Sequence, residues 1–386
     1  MNYSESIDYL NGFVNFERQF EPRYGTTEAD LDRFRELLRQ LGNPHQQYPI
    51  IHIAGTKGKG STGAIIAAIL LAAGYRTGFY TSPHLVSVRE RIRLERRIIT
   101  RSEFAAAMTA IRALPDKPRL GDEVAFRTVF EHLTAAALWT YARHDIQAAV
   151  VEAGLGGKLD ATVVVHPVLS VMTPIGLDHT AILGDTVELI AADKAYIIKS
   201  ATPAVTSPQA SSVLDILQMR ARQVGARLTV APGRAEFTQV VLSAQETCFF
   251  NDRPGLNSQK LYFKLAGEYQ LENLSTALTA VDELRRRGFH IPPDAVKQGL
   301  RRVRWPGRMQ MLNRYPRVLL DGAHNALGVK ALTQSLNLIF PNQKWRIVFS
   351  AMRSKPTLEM ISQLDELALK YYLAPICFPR GMSSEQ

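Results

Sequence analysis

Cysteine is nearly absent: Cys248 and Cys377 are the only two in 386 residues. Two thiols cannot build a disulfide framework, and no partner spacing allows a structural zinc. Both are expected to be buried, inert side chains. Long apolar runs are also missing. The longest, Ala64–Ala73, is well short of the roughly 18 residues that cross a bilayer, which excludes a membrane-spanning helix. The N-terminal MNYSESIDYL has neither the basic nor the apolar segment of an export leader, so the expected compartment is the cytoplasm. There is no internal repeat and no low-complexity tract. What remains is an ordinary globular composition, 46% apolar and 21% charged, in a chain too long for one hydrophobic core, so two domains are expected.

Acidic residues are outnumbered. The 46 Lys plus Arg against 36 Asp plus Glu leave a net charge of +10, which favours an anionic partner: a nucleotide, a polyacid or a nucleic acid. The densest basic run is Arg89, Arg91, Arg93, Arg96 and Arg97, broken by Glu90 and Glu95. Its first three arginines alternate as on one face of a strand. Without interleaved aromatics the run is a weak nucleic-acid signal, and a structural face is as well supported as an anion-contacting one.

Between residues 48 and 230, short apolar runs alternate with helical stretches, the pattern of a doubly wound, mainly parallel α/β sheet. Expected strands are Ile50–Ala54, Thr77–Tyr80, Ala148–Glu152, Leu169–Thr173, Ala204–Thr206 and Arg227–Val230. Thr62–Ala73 is apolar nearly all round, as in a helix buried against a sheet. Thr100 and Glu103 form a capping box for a helix to Leu114. Phe126–Arg143 and Val187–Lys199 read as further helices. From Phe237 to Leu265 short β-like runs around NDRPG predict a small hairpin appendage on the parallel sheet. Helices follow at Leu271–Arg287 and after Pro293. The breakers Trp305, Pro306 and Gly307 mark the expected boundary between a domain over 1–303 and a smaller, Rossmann-like α/β domain over 304–386. In the latter, strands are expected at Arg317–Asp321, Arg346–Ser350 and Leu373–Phe378, with helices at Leu327–Ile339 and from Thr357. About 80 residues are thin for a complete sheet, so this domain is read as stopping short.

The first strand runs into GTKGKGST and then a helix, an arrangement that binds phosphate through inward-turned amides and the helix N-terminus. Lys59 would reach the terminal phosphates, while Ser61 and Thr62 offer hydroxyls. The loop is a shorter variant of the strict phosphate-loop spacing, since Ile53 stands where the first glycine belongs. Glu152 closes a second strand, before Gly154, Gly156 and Gly157. An acid at the carboxyl end of a parallel strand, beside a phosphate loop, is placed to hold Mg²⁺. TPIGLDHT brings Asp178 and His179 to the same sheet edge, and three strand ends meeting at one crevice favour a functional site over a structural histidine.

GTKGKGST, YTSPHLVSVRERIR, VVEAGLGGKLDAT, PIGLDHT, DKAYIIK, WPGR and LDGAHN together resemble, in order, the signature segments of the folylpolyglutamate synthase and dihydrofolate synthase family of the Mur ligase superfamily. The resemblance runs from about Ser6 to Gly328. It implies a cytoplasmic ATP-dependent ligase of folate metabolism that joins L-glutamate to dihydropteroate or to the γ-carboxylate of folates through an acyl phosphate. It implies Mg²⁺ held at Ser82, Glu152 and His179, a carbamylated Lys194 serving a second Mg²⁺, and a monovalent cation as a further candidate. ATP contacts map onto Gly58, Lys59, Gly60, Ser61, Asn273, Arg308 and Asp321. The pterin pocket maps onto Thr128, Phe130, Glu131, Leu159, Asp160 and Ala161. Lys59, Lys194 and His179 are the catalytic candidates. The expected partners are these small molecules, without nucleic acid or membrane, for a monomer whose second domain closes over the site to exclude water.

Several positions depart from the family pattern. Lys57 and Val163 replace Asn, Lys158 replaces Arg, Asp193-Lys194-Ala195-Tyr196 replaces Glu-Lys-Ala-Gly, and Arg353-Ser354-Lys355 replaces Asp-Lys-Asp. The rival readings are another amino-acid ligase of the superfamily, a catalytically impaired ATP-binding homologue, and a phosphate-loop protein that binds nucleic acid.

Overall fold

The computed structural model describes residues 1–15, 27–114, 119–120, 123–124, 128–257, 259–353, 355–376 and 381–382. The chain divides into two compact units. One holds the described residues up to Gly233 together with Asn273–Gly299, and the other holds the described residues of Arg234–Glu272 and from Leu300 onward. The hairpin segment therefore groups with the C-terminal residues instead of with the rest of 1–303. Its strands form a sheet of their own with no ladder to the large sheet.

The first unit begins with helices α1 (Tyr3–Asn11) and α2 (Glu28–Gln40). Strand β1 (Ile50–Ala54), α3 (Lys59–Ala72), β2 (Thr77–Tyr80), β3 (Ile92–Leu94), β4 (Arg97–Ile98) and α4 (Arg101–Arg112) follow. After a short ladder of β5 (Arg119–Leu120) with β6 (Glu123–Val124) come α5 (Val129–Arg143), β7 (Ala148–Glu152) and β8 (Leu169–Met172). The remainder is α6 (Thr180–Leu183), α7 (Val187–Lys194), β9 (Ala204–Thr206), α8 (Ser211–Gln223) and β10 (Leu228–Val230). The eight-stranded sheet has the order β10-β9-β8-β1-β7-β2-β3-β4. From β10 to β2 every pairing is parallel, and β3 and β4 add an antiparallel edge.

This order places the switch point at β1. The chain leaves β1 for β2 on one side, and after β7 it crosses to β8 on the other, so the loops after β1, β7 and β8 share one crevice. β1, β7 and β8 are wholly buried, as strands covered on both faces should be.

Local chemistry sets the helix ends. Thr100 with Glu103, and Thr128 with Glu131, form capping boxes that start α4 and α5. The latter places the helix at Val129 instead of Phe126, which lies outside the described residues. The expected helix through Lys199 ends at Lys194, where a 3-10 turn over Ala195–Ile197 takes over.

Arginines of the basic run find partners within the fold. Val88–Arg91 is a 3-10 turn and not strand. Arg91 is buried and donates through Nε to His84 Nδ1 at 3.0 Å. Arg89 and Arg101 lie over the Tyr3 ring at 5.7 and 5.4 Å.

The second unit contains β11 (Phe237–Leu242), β12 (Thr247–Asn251) and β13 (Leu261–Phe263), all antiparallel. Helices α9 (Gln270–Arg286) and α10 (Pro293–Arg302) come next in the chain, and most of both belongs to the first unit. After them, β14 (Gln310–Arg314) pairs antiparallel with β15 (Arg317–Leu320), a hairpin the sequence patterning did not predict. Then α11 (Ala326–Ile339), β16 (Trp345–Phe349), α12 (Thr357–Leu364) and β17 (Ala368–Leu373) make an α/β layer with β16 and β17 parallel. The last strand sits earlier than the expected Leu373–Phe378, of which Cys377 and Phe378 lie outside the described residues, as does Ser354. Cys248 is partly exposed and not buried. The strand alternation of β12 turns Thr247, Phe249 and Asn251 inward and Cys248 outward.

Helix α3 is apolar on all sides because it is enclosed: Ile65, Ile66, Ile69 and Leu70 have no exposed surface. Gly63 on this helix faces Phe79 of β2 so closely that a Cβ would lie 2.7 Å from the ring. Gly63→Ala should therefore cost about 1–3 kcal/mol through overpacking, read as a lower denaturation midpoint with an unchanged slope. An unchanged midpoint would show that the ring yields freely.

Candidate active site

The phosphate loop joins β1 to α3. Gly58 takes φ +77° at the N-cap of α3, a left-handed conformation that favours glycine. The Gly58 carbonyl accepts from Thr62 at 2.8 Å. The amides of Thr56 and Lys57 donate to the Pro174 carbonyl at 2.9 and 3.1 Å, and Thr56 Oγ1 donates to the Gly176 carbonyl at 3.0 Å. The loops after β1 and β8 are thus fastened together. Asn273 on α9 is buried beside Gly58, where an added Cβ would collide with its side-chain oxygen. The sequence candidates Gly58 and Asn273 are neighbours in space.

Glu152 ends β7, buried, and accepts a hydrogen bond from Thr81 Oγ1, at the end of β2. Lys59 Nζ lies 3.9 Å from Glu152 Oε1 and donates to the Gly55 carbonyl at 3.2 Å. Ser82, next to Thr81, is partly exposed. Thr81 is the residue that sequence reasoning missed here, although it stands inside the YTSPH segment.

Lys194 is only 5% exposed. Its ammonium is held down to a pKa of about 7, chiefly because burial strips its hydration and secondly because the Lys59 cation is near; Asp193, Asp160 and Asp178 oppose the shift. The backbone around it is closely fitted. Gly157 donates to Asp193 Oδ1 at 2.7 Å, and a Cβ on Gly157 would lie 2.8 Å from the Lys194 Cα. Asp193 is a second site residue that gains meaning only in three dimensions.

His179 opens α6 in a left-handed conformation, φ +52°, with its side chain half exposed. Its Nε2 lies 4.0 Å from Asp178 Oδ1. Among the described residues no three His, Cys, Asp or Glu side chains gather as a ready-made metal cage. A single buried carboxylate with hydroxyls beside a phosphate loop fits Mg²⁺ none the less, since that ion usually takes one or two carboxylates and leaves its other positions to phosphate oxygens and water.

The pocket candidates border the same edge. Thr128 and Glu131 cap α5. The Phe130 ring is 6.0 Å from that of Tyr80 and lies against Gly154. Asp160 is buried, and burial raises its pKa against the pull of its hydrogen bonds. It accepts from the amides of Gly154, Leu155 and Thr162 at 3.0, 2.9 and 2.9 Å, and from the Thr162 hydroxyl. Its oxygens are spent on shaping the loop. Leu159 is partly buried and Ala161 buried, both packed in the core under α5.

Arg308 and Asp321 belong to the other unit, where they sit together. Asp321 accepts from the Met309 and Ala323 amides at 2.7 and 2.8 Å and from Tyr269 Oη at 3.4 Å. Burial raises the Asp321 pKa. Arg308 donates to the Gly307 carbonyl at 2.9 Å, and Gly322 leaves room for its guanidinium. WPGR and LDGAHN are therefore laced into one constellation, to which Tyr269 adds a hydroxyl that the motifs did not reveal.

A phosphate loop at the switch point of a parallel sheet, with a buried acid and a buried lysine beside it, defines a nucleotide-dependent α/β enzyme. Residues 53–281 match the Mur ligase middle domain. The chain is 35% identical over 387 aligned residues to the dihydrofolate synthase/folylpolyglutamate synthase of Bacillus subtilis, covering 98% of this chain and 86% of that one. It is 32% identical to the folylpolyglutamate synthase of Lacticaseibacillus casei, covering 97% and 86%. Among solved structures, an FPGS–AMPPCP–folate complex superposes with a TM-score of 0.87 at 30% identity, covering 97% of this chain and 90% of that one. Mycobacterium tuberculosis folylpolyglutamate synthase complexed with ADP gives 0.86 at 30%, covering 99% and 84%. The chain belongs to the folylpolyglutamate synthase and dihydrofolate synthase family of the Mur ligase superfamily, and it is an ATP-dependent ligase.

Gly58→Ala combines a strained φ with a collision at Asn273. Nucleotide affinity measured by calorimetry should fall at least about tenfold, since a misfit of this kind exceeds roughly 1.4 kcal/mol. Unchanged affinity would remove this loop from the nucleotide site.

Proposed function

We propose that the chain joins the amine of L-glutamate to the carboxylate of dihydropteroate, to the γ-carboxylate of a folate, or to both, through an acyl phosphate. The observation that carries this reading is the meeting of Lys59, Glu152 and a lysine of depressed pKa at one sheet edge, in a chain whose relatives are named for these reactions.

In the first step a substrate carboxylate oxygen attacks the γ-phosphorus of ATP. An O–P bond forms, the bond to the β–γ bridging oxygen breaks, and ADP leaves. In the second step the glutamate nitrogen bonds to the acyl carbon, the C–O bond to phosphate breaks, and the ammonium protons pass to solvent. Lys59 is assigned to the charge moving onto the β–γ bridge, as phosphoryl transfer requires positioning and charge stabilisation more than covalent help. Gly58, Gly60 and Ser61 would cradle the phosphates, and Asn273, Arg308 and Asp321 are assigned to the nucleotide. Thr128, Phe130, Glu131, Leu159, Asp160 and Ala161 are assigned to the pterin side. Magnesium, when bound, neutralises phosphate charge. Ser82, Glu152 and His179 are the residues proposed to hold it, with the carbamate of Lys194 serving a second ion.

Carbamylation needs the free amine: the Nζ lone pair attacks CO₂, an N–C bond forms, and one N–H proton leaves to solvent. A pKa of about 7 supplies that amine at neutral pH, and as pH falls below 7 the ammonium accumulates and activity should fall with it. Lys194→Ala should lose most activity and regain part of it with an added short carboxylic acid. Lys194→Arg should be no better than Ala, because a guanidinium stays charged and does not react with CO₂. Full activity in the Arg variant would strike the carbamate from the mechanism. The acyl phosphate is tested separately by labelling the substrate carboxylate with ¹⁸O. Label should appear in inorganic phosphate, and its absence would rule that intermediate out.

A further inference from the structure

Two of the departures from the family pattern, Lys158 and Tyr196, lie against each other. The Lys158 ammonium is 5.3 Å from the centre of the Tyr196 ring, and the Arg220 guanidinium of α8 is 4.7 Å from the same ring. Arg220 Nε is buried without a hydrogen-bond partner. The ring is thus the shared counterpart of two positive charges. Tyr196 is itself 36% exposed, so core burial does not account for an aromatic residue there.

The clasp sits on the backbone that carries Lys194. Tyr196 lies in the 3-10 turn directly after α7. Lys158 belongs to the loop after β7, whose Gly157 and Lys158 amides reach Asp193 Oδ1 at 2.7 and 3.5 Å. The ring therefore adds a side-chain contact between this loop and the turn after α7, beside the backbone hydrogen bonds to Asp193. We infer that Tyr196, whose ring both Lys158 and Arg220 approach, is a positioning residue that fixes the turn after α7 and so holds the Lys194 side chain in place for its reaction with CO₂. The inference rests on the carbamate reading above. The ring and the cation at position 158 then act as one device.

The test compares the unaltered chain with Tyr196→Gly, Tyr196→Phe, Lys158→Arg and Lys194→Ala in CO₂-depleted buffer titrated with ¹³C-bicarbonate. The carbamate carbon is followed by ¹³C NMR, with turnover measured in parallel. Tyr196→Gly should raise the bicarbonate needed for half-maximal carbamate roughly three- to tenfold, with KM for ATP unchanged. Tyr196→Phe and Lys158→Arg keep the ring and the cation and should stay within about twofold. Half-saturation in Tyr196→Gly equal to that of the unaltered chain would overturn the positioning role, even if turnover or thermal stability fell. No carbamate signal in the unaltered chain, with full activity in Lys194→Ala, would overturn the carbamate reading itself.

Discussion

A lysine buried at the carboxyl end of a parallel sheet is the constraint around which this site is arranged. Lys194 has almost no exposed surface, and the Lys59 cation acts on it from the loop after β1. A protonated amine in that position is disfavoured twice, by lost hydration and by like charge. The surrounding backbone keeps it there. Gly157 has no Cβ to push it away, Asp193 ties the neighbouring loop to its helix, and Asp160 gathers the amides of the same loop. Each of these features has a structural cause, and together they leave an amine that is partly neutral near neutral pH.

The parallel sheet explains why these groups meet. Lys59, Glu152 and His179 stand at or beyond the ends of β1, β7 and β8, which are neighbours in the sheet although far apart in sequence. The Thr81–Glu152 hydrogen bond adds β2, and the Thr56 contacts with Pro174 and Gly176 bind the first and last loops of the set. The second unit contributes a separate constellation in which Asp321 organises the Met309 and Ala323 amides near Arg308. Its tight glycines, Gly307 and Gly322, are the reason two short motifs separated by a hairpin can share one set of hydrogen bonds.

Much of this was legible in the sequence because it depends on local pattern. Strand, glycine loop and helix start appear in order around GTKGKGST, and β7 ends on its acid as the apolar run AAVVE requires. The parts that were not legible depend on contacts between distant segments. Alternating arginines at 89, 91 and 93 suggested one strand face, yet Arg91 turns inward to His84 and Arg89 stacks on Tyr3, an N-terminal residue with no sequence signal for that role. The helix through Lys199 read as continuous because nothing local breaks it; it ends at Lys194, where the loop carrying Gly157 lies close against the backbone. The hairpin sheet grouped with the C-terminal unit for the same kind of reason, since its partners lie beyond the apolar alternation that revealed its strands. Tyr196 was one departure among several in sequence and is approached by two cations in space.

ATP-dependent attachment of glutamate to a pteridine-bearing carboxylic acid is tested most directly by measuring ADP release with dihydropteroate and with tetrahydrofolate, each with and without L-glutamate. Sustained, glutamate-dependent ADP release is expected with at least one of the two acids, matched by a product heavier by one glutamyl residue. ADP release with neither acid, or release unaffected by glutamate and without such a product, would contradict it.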